Sequence, residues 1–148
     1  MGRLRVQHCV VNQTTRQYGT NPTSDLLGVD YIYSVPADTE FPDLIGKLEL
    51  FVRFFDDKPI SGNVLITVVQ LDPNGFDRSM IYNKPFALAP RTKPPLEFLD
   101  RSFKLMNVRL PAEGLYAIRV SRCTKAEPWQ GKRWRVLATE YVFVQRNP

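Results

Sequence analysis

Apolar residues recur along this chain with a period of two, not 3.6. In Lys47–Phe55 the residues Leu48, Leu50, Val52 and Phe54 fall on one face, and Glu49, Phe51, Arg53 and Phe55 on the other. That alternation predicts a β-strand with one buried face and a partly apolar second face. Asp56-Asp57-Lys58-Pro59 then ends it, because acidic residues and proline favour a turn. Asn63–Leu71 is rich in β-branched residues and predicts a strand buried on both faces. It stops at Asp72-Pro73-Asn74-Gly75, the strongest turn signal present. Proline presets φ at the second turn position, and Asn-Gly accepts positive φ.

Six more strands follow from the same logic. Arg3–Val11 places Leu4, Val6, His8 and Val10 together. Leu26–Val35 ends at Pro36, and Phe103–Leu110 ends at Pro111. Leu115–Ser121 groups Tyr116, Ile118 and Val120. Arg135–Val144 sets Leu137, Thr139, Tyr141 and Phe143 against Val136, Ala138, Val142 and Val144. A weaker strand covers Ser79–Ala87. The one helical candidate is a single turn at Pro42–Ile45. Asn12–Ser24 and Thr124–Lys132 read as long polar connections, and Pro90–Pro95 as an extended loop. About eight short strands with turn-rich links predict an all-β, antiparallel β-sandwich, immunoglobulin-like in architecture, with little helix.

Composition supports one domain over residues 1–148. The chain is 43% hydrophobic and 24% charged, which is ordinary for a globular protein. At this size about 70% of the unfolded chain's surface can be buried, so no disulfide or metal staple is needed. No apolar run approaches the length of a membrane span, and no secretory signal follows the basic start. The cytoplasm, or the inside of an assembly, is therefore the expected location. A formal charge of +5 favours acidic partners without identifying one.

Two stretches carry a resemblance. Asn63–Gly75 reads as strand then D-P-x-G turn. Pro111-Ala112-Glu113-Gly114 followed by Leu115–Val120 reads as turn then G-x-Y strand. Leu27-Gly28-Val29, then Pro36 and Pro42, then Leu48–Phe55 complete the order. Over roughly residues 26–145 this pattern resembles an uncharacterised family of small bacterial immunoglobulin-like β-sandwich proteins. The resemblance implies the fold and brings no catalytic residues. Asn12–Ser24 and Asp77–Arg101 depart from it.

Candidate chemistry is sparse. His8 is the only histidine, which excludes two-histidine metal sites. Its neighbour Cys9 points to the opposite face of the same strand, so the two make a poor dyad. Cys9 and Cys123, far apart and in strand-like stretches, read as buried thiols. Asp72, Asn74 and Asp77 alternate oxygens as a short calcium loop does, yet no acid stands at the twelfth position, and turn geometry explains Pro73, Asn74 and Gly75. Glu40, Asp43, Glu97 and Asp100 have no spacing that makes a carboxylate pair. No phosphate-binding glycine loop or nucleophile elbow occurs, so neither cofactor nor catalysis is expected.

The most informative segment is Trp129-Gln130-Gly131-Lys132-Arg133-Trp134-Arg135. Its two tryptophans and three cations could anchor a partner protein, stack on single-stranded bases, or form a hairpin tip that covers the end of the core. Arg91 and Lys93 in the proline-rich loop could extend the basic patch. The resulting expectation is a non-enzymatic structural or accessory subunit. It would dock on a larger protein assembly through long loops and edge strands. Its partner-binding residues would be Trp129, Lys132, Arg133, Trp134 and Arg135, with Arg91 and Lys93. The alternative is a nucleic-acid-binding β-domain that uses the same patch. The sequence leaves oligomeric state open.

Overall fold

The computed structural model describes residues 4–12, 14–17, 24–27, 32–45, 48–56, 62–88, 99–123 and 134–147. These residues form strands and turns, with no helix among them. Twelve strands occur in chain order: β1 (Arg5–Asn12), β2 (Thr14–Gln17), β3 (Ser24–Leu27), β4 (Ile32–Val35), β5 (Asp43–Ile45), β6 (Leu48–Phe55), β7 (Gly62–Leu71), β8 (Asp77–Leu88), β9 (Leu99–Leu105), β10 (Val108–Leu110), β11 (Gly114–Cys123) and β12 (Trp134–Arg146).

Eight of them build two principal sheets, ordered β1-β6-β9 and β4-β12-β11-β7-β8. Between these layers lies the main core. It takes Leu48, Leu50, Val52 and Phe54 from β6, Val64, Ile66 and Val68 from β7, and Tyr116, Ile118 and Val120 from β11. Period-two alternation groups the four β6 residues and the three β11 residues just as they pack here, whereas Asn63–Leu71, read as buried on both faces, has its core side assigned only by the structure. Two-stranded ribbons, β2-β3 and β5-β10, complete the arrangement. This is an all-β, immunoglobulin-like sandwich. A further mark of that architecture is the corner before β11. There the Tyr116 hydroxyl donates to the Ala112 carbonyl oxygen at 2.5 Å, and Tyr116 itself is 1% exposed.

The structure revises several expectations. Pro42–Ile45 is not a helical turn: Asp43–Ile45 pairs antiparallel with Val108–Leu110. The predicted strand Leu26–Val35 is two strands with different partners, β3 on β2 and β4 on β12. The β4–β12 pair is parallel, so the sandwich is not wholly antiparallel. Phe103–Leu110 is likewise interrupted, because Asn107 adopts φ 57° and turns the chain from one sheet into a ribbon. Asparagine tolerates that left-handed conformation better than most residues. Within Asn12–Ser24, expected to be a loop, residues 14–17 form β2.

β-Bulges reset two alternation patterns. A register shift between Val6 and His8 moves Cys9, rather than His8, into phase with Val6, and both Val6 and Cys9 pack against the core. A second shift leaves Leu137 as the extra residue on β12, since Val120 opposes Ala138 and Ser121 opposes Val136. Leu137 therefore packs against the core, while Val136 turns outward to the face of Tyr141 and Phe143. The expected grouping of Leu137 with Tyr141 and Phe143 is reversed by that one residue.

The Asp72–Gly75 turn forms as the sequence predicts. Asp72 Oδ1 accepts from the Asn74 and Phe76 amides at 2.8 and 3.0 Å, and Gly75 sits at φ 84°. The Asp72 carboxylate thus serves the backbone as an Asx cap.

Candidate functional site

Two surfaces carry side chains that packing does not use up. One is the outer face of the five-stranded sheet. Register places Leu65, Thr67 and Val69 of β7 opposite Ser121, Arg119 and Ala117 of β11. Thr139 and Tyr141 of β12 continue the Arg119 and Ala117 rows. Val69, Leu71 and Ala117 form a small buried cluster here, joined by the half-buried Leu115. Around it Val136, Tyr141, Phe143 and Met80 stand 51, 52, 44 and 55% exposed. A groove of about 520 Å³ lies on this face, with Leu65, Val69, Met80 and Val136 among its walls.

The charge on this face is neutralised internally. Arg119 on β11 reaches across β7 to Asp77 on β8, with both guanidinium–carboxylate bonds at 2.8 Å. That hydrogen-bonded pair holds the Asp77 carboxyl below its ordinary pKa and raises Arg119. Ser79 donates to the Gln70 side chain at 3.2 Å. The groove's walls thus combine apolar side chains with the paired Arg119 and Asp77 and with Arg78.

β8 edges this sheet in the strand order. Its first half is exposed and twice bulged, with shifts between Val68 and Val69 and between Gln70 and Leu71 on its partner. Bulges and Pro85 blunt an edge against indiscriminate pairing. Its far half turns inward, where Phe86 meets Phe103 with ring centroids 4.9 Å apart.

The second surface is one end of the sandwich. β6 ends there at Phe55, β7 begins at Gly62, β8 ends at Leu88 opposite Gly62, and β11 ends at Cys123 opposite Trp134. The connections β6–β7, β8–β9 and β11–β12 therefore leave from this same end. Residues 57–61, 89–98 and 124–133 contain six Lys or Arg against three Asp or Glu. Of the residues singled out from the sequence, Trp129, Lys132, Arg133, Arg91 and Lys93 lie outside the described residues. Trp134 opens β12, its backbone paired with Cys123. Arg135 is half-buried, and its Nη2 donates to the Leu4 carbonyl oxygen at 3.0 Å, tying β12 to the start of β1. Sequence reasoning missed Arg122, which stands directly opposite Arg135. Only the strand register shows that the two arginines are neighbours.

Elsewhere, titratable groups are absorbed by structure. Arg53 holds Asp100 through two bonds of 2.7 Å, which assigns one of the four candidate carboxylates to an ion pair. The Cys9 thiol is pushed up to about 12, by burial first and by the nearby Glu140 second. A thiol so poised is no nucleophile at neutral pH. Burial also raises the Glu140 carboxyl. Among the described residues no group of three His, Cys, Asp or Glu gathers that would hold a metal ion. Nor is any described helix long and apolar enough to cross a membrane.

No family model and no curated protein matches the chain. Solved structures are similar only in strand arrangement. An alkylpurine DNA glycosylase, AlkC, from Pseudomonas fluorescens shares 9% identity at TM-score 0.49, over 96% of this chain and 30% of that one. A β-glucosidase from Listeria innocua shares 12% at TM-score 0.45, over 99% of this chain and 16% of that one. An immunoglobulin-like protein from Pseudomonas aeruginosa shares 10% at TM-score 0.37, over 97% of both chains. The chain thus spans under a third of the first two proteins.

Proposed function

We propose that this chain is a non-enzymatic structural or accessory domain that docks on a larger protein assembly. The observation that carries this reading is the outer face of the five-stranded sheet. Val136, Tyr141 and Phe143 on β12 and Met80 on β8 are half-exposed around the Val69–Leu71–Ala117 cluster. Large apolar side chains grouped on one face, with Arg119 and Asp77 paired to each other beside them, fit a protein partner better than a solvated surface. Tyrosine and phenylalanine supply contact area there at low entropic cost. The loops carrying Trp129, Lys132, Arg133, Arg91 and Lys93, with Trp134 and Arg135 at their root, form the second contact in this proposal. The working unit is the single domain of residues 1–148, and its setting the cytoplasm or the interior of an assembly.

The test is affinity purification of the tagged full chain from its native cells, with and without nuclease. Alongside it runs the double variant Tyr141→Glu/Phe143→Glu, whose substitutions sit on exposed positions. We expect a stoichiometric set of proteins that survives nuclease and disappears with the variant. A clean monomer, or retention by the variant as strong as by the parent, refutes docking through this face.

A second reading is supported by the Arg122–Arg135 pair at the basic end of the sandwich, which suits phosphate as well as carboxylate. A nucleic-acid-binding domain would lose affinity steeply with salt. Unchanged binding after Lys132, Arg133 and Arg135 are replaced by alanine would refute it.

A further inference from the structure

We infer that the groove on the outer face of the five-stranded sheet receives an extended apolar segment of the partner that carries one carboxylate, held by Arg78. The inference rests on the protein-docking reading above and assigns the chemistry of the partner.

The two bulges of β8 lead there. Gln70 opposes Ser79 and Leu71 opposes Asp77, so Arg78 is an extra residue on β8. Val68 opposes Tyr82 and Val69 opposes Met80, which leaves Ile81 as a second. Strict alternation would send Arg78 to the face opposite Asp77 and Ser79. Instead Asp77, Arg78, Ser79 and Met80, four residues in succession, all line the groove. A bulge re-aims a side chain in this way, and here it brings a cation onto an apolar face.

That cation has no partner in the fold. Asp77 is taken by Arg119 at 2.8 Å. Arg53 and Arg146 likewise hold carboxylates. Arg78 makes no ion pair among the described residues, so the groove carries one uncompensated positive charge. Its complement is an anion. A carboxylate meets the planar fork of a guanidinium with two parallel bonds.

The floor of the groove is also incomplete. Thr67 and Ser121 line it and are each 5% exposed. Neither hydroxyl has a hydrogen-bond partner among the described residues, although polar groups buried so far are ordinarily paired. A hydroxyl both donates and accepts, so the two suit the amides and carbonyls of a backbone laid over them. Leu65, Val69, Met80 and Val136 supply the apolar contacts for its side chains.

Shape selects a segment over a small molecule. The groove, about 520 Å³, follows β7 from Leu65 to Val69. That is about 13 Å at the rise of an extended strand, enough for about four residues of a second extended chain. It lies open on a sheet face, whereas small-ligand pockets enclose about 70–90% of what they bind. Tyr141 and Phe143 continue the apolar surface beyond it.

The test uses the full chain labelled with 15N-arginine and 13C-methyl-methionine. The probe is the peptide Ser-Val-Leu-Glu-Leu-Ser, blocked at both ends, with counterparts that carry Gln or Lys in place of Glu. The Met80 methyl signal, assigned by its loss in Met80→Leu, reports entry into the groove. The Arg78 Nε–Hε signal, assigned by its loss in Arg78→Lys, reports the contact. We expect the Glu peptide to move both signals saturably and to bind about tenfold tighter than the Gln peptide, with the Lys peptide weakest. Arg78→Gln, at an exposed position, makes the Glu and Gln peptides equal. Lys104→Gln, the same charge change on the outer face of the other sheet, keeps the preference.

A Met80 methyl unmoved by all three peptides overturns the groove as the seat, and this outcome needs no variant to fold. Equal binding of the Glu and Gln peptides to the parent chain overturns the carboxylate. A preference that survives Arg78→Gln, or that Lys104→Gln removes as well, overturns Arg78 in favour of diffuse attraction. Partner capture and its loss in Tyr141→Glu/Phe143→Glu are read without these peptides, so the groove and the docking reading stand or fall separately.

Discussion

Replacing Tyr116 with phenylalanine removes one oxygen atom from the corner that precedes β11. The ring is 1% exposed and keeps its packing against the core, so no cavity opens. What is lost is a pair of hydrogen bonds to one residue. The hydroxyl donates to the Ala112 carbonyl at 2.5 Å and accepts from the Ala112 amide at 3.4 Å. The short bond carries nearly all of the effect, because hydrogen bonding weakens towards 3.5 Å. A net hydrogen bond contributes about 1 kcal/mol. Ala112 is half-exposed, so water can partly satisfy its carbonyl after the change, which keeps the added desolvation cost small. The expected loss is therefore about 1–2 kcal/mol, or roughly 3–8 °C in Tm for a domain of this size. Urea unfolding followed by circular dichroism measures it as a lower midpoint at unchanged m-value. Tyr82→Phe is the control, because Tyr82 is half-buried in the same core and its hydroxyl holds no hydrogen bond among the described residues. If the two variants differ by less than about 0.5 kcal/mol, the corner contributes nothing and the argument from its geometry is wrong.

Three further outcomes follow from the buried ionisable groups. Since burial raises the Cys9 thiol from 9.0 to about 12, its contribution to stability is complete below pH 9 and is lost as pH rises towards 12, at up to about 1.4 kcal/mol per pH unit; Cys9→Ala flattens that part of the alkaline stability profile. Glu140→Gln removes a carboxylate whose folded pKa is raised, so the variant gains stability at pH 7 and loses that gain as pH falls through the raised value to the ordinary glutamate pKa, below which the two proteins no longer diverge; it also lowers the Cys9 pKa, read from the pH dependence of iodoacetamide alkylation. Asp100→Asn breaks a bidentate pair whose side chains are 24 and 11% exposed, and costs about 1–3 kcal/mol by urea unfolding, whereas an equal midpoint shows the pair to be incidental.

Alternation along the chain was enough to determine the fold class and most of the main core. It works wherever strand and sheet face stay in step, as in β6 and β11, because period two follows directly from extended backbone. The Asp72–Gly75 turn was legible for the same local reason: its φ values and its Asx cap depend on neighbours in sequence. Tertiary structure decided what local pattern cannot encode. One extra residue on β12 exchanged the places of Val136 and Leu137, and so created the outward apolar row that carries the proposed function. A single bulge in β1 exchanged His8 for Cys9. Asp43–Ile45 became a strand because β10, over sixty residues away, offered its backbone groups as partners. The meeting of Arg122 and Arg135 depends on register across a hairpin, and the ion pairs of Arg53 and Arg119 on partners 47 and 42 residues distant. Faces are written in the alternation of side chains. Neighbours across strands are set by which hydrogen-bond registers let all the buried faces close at once.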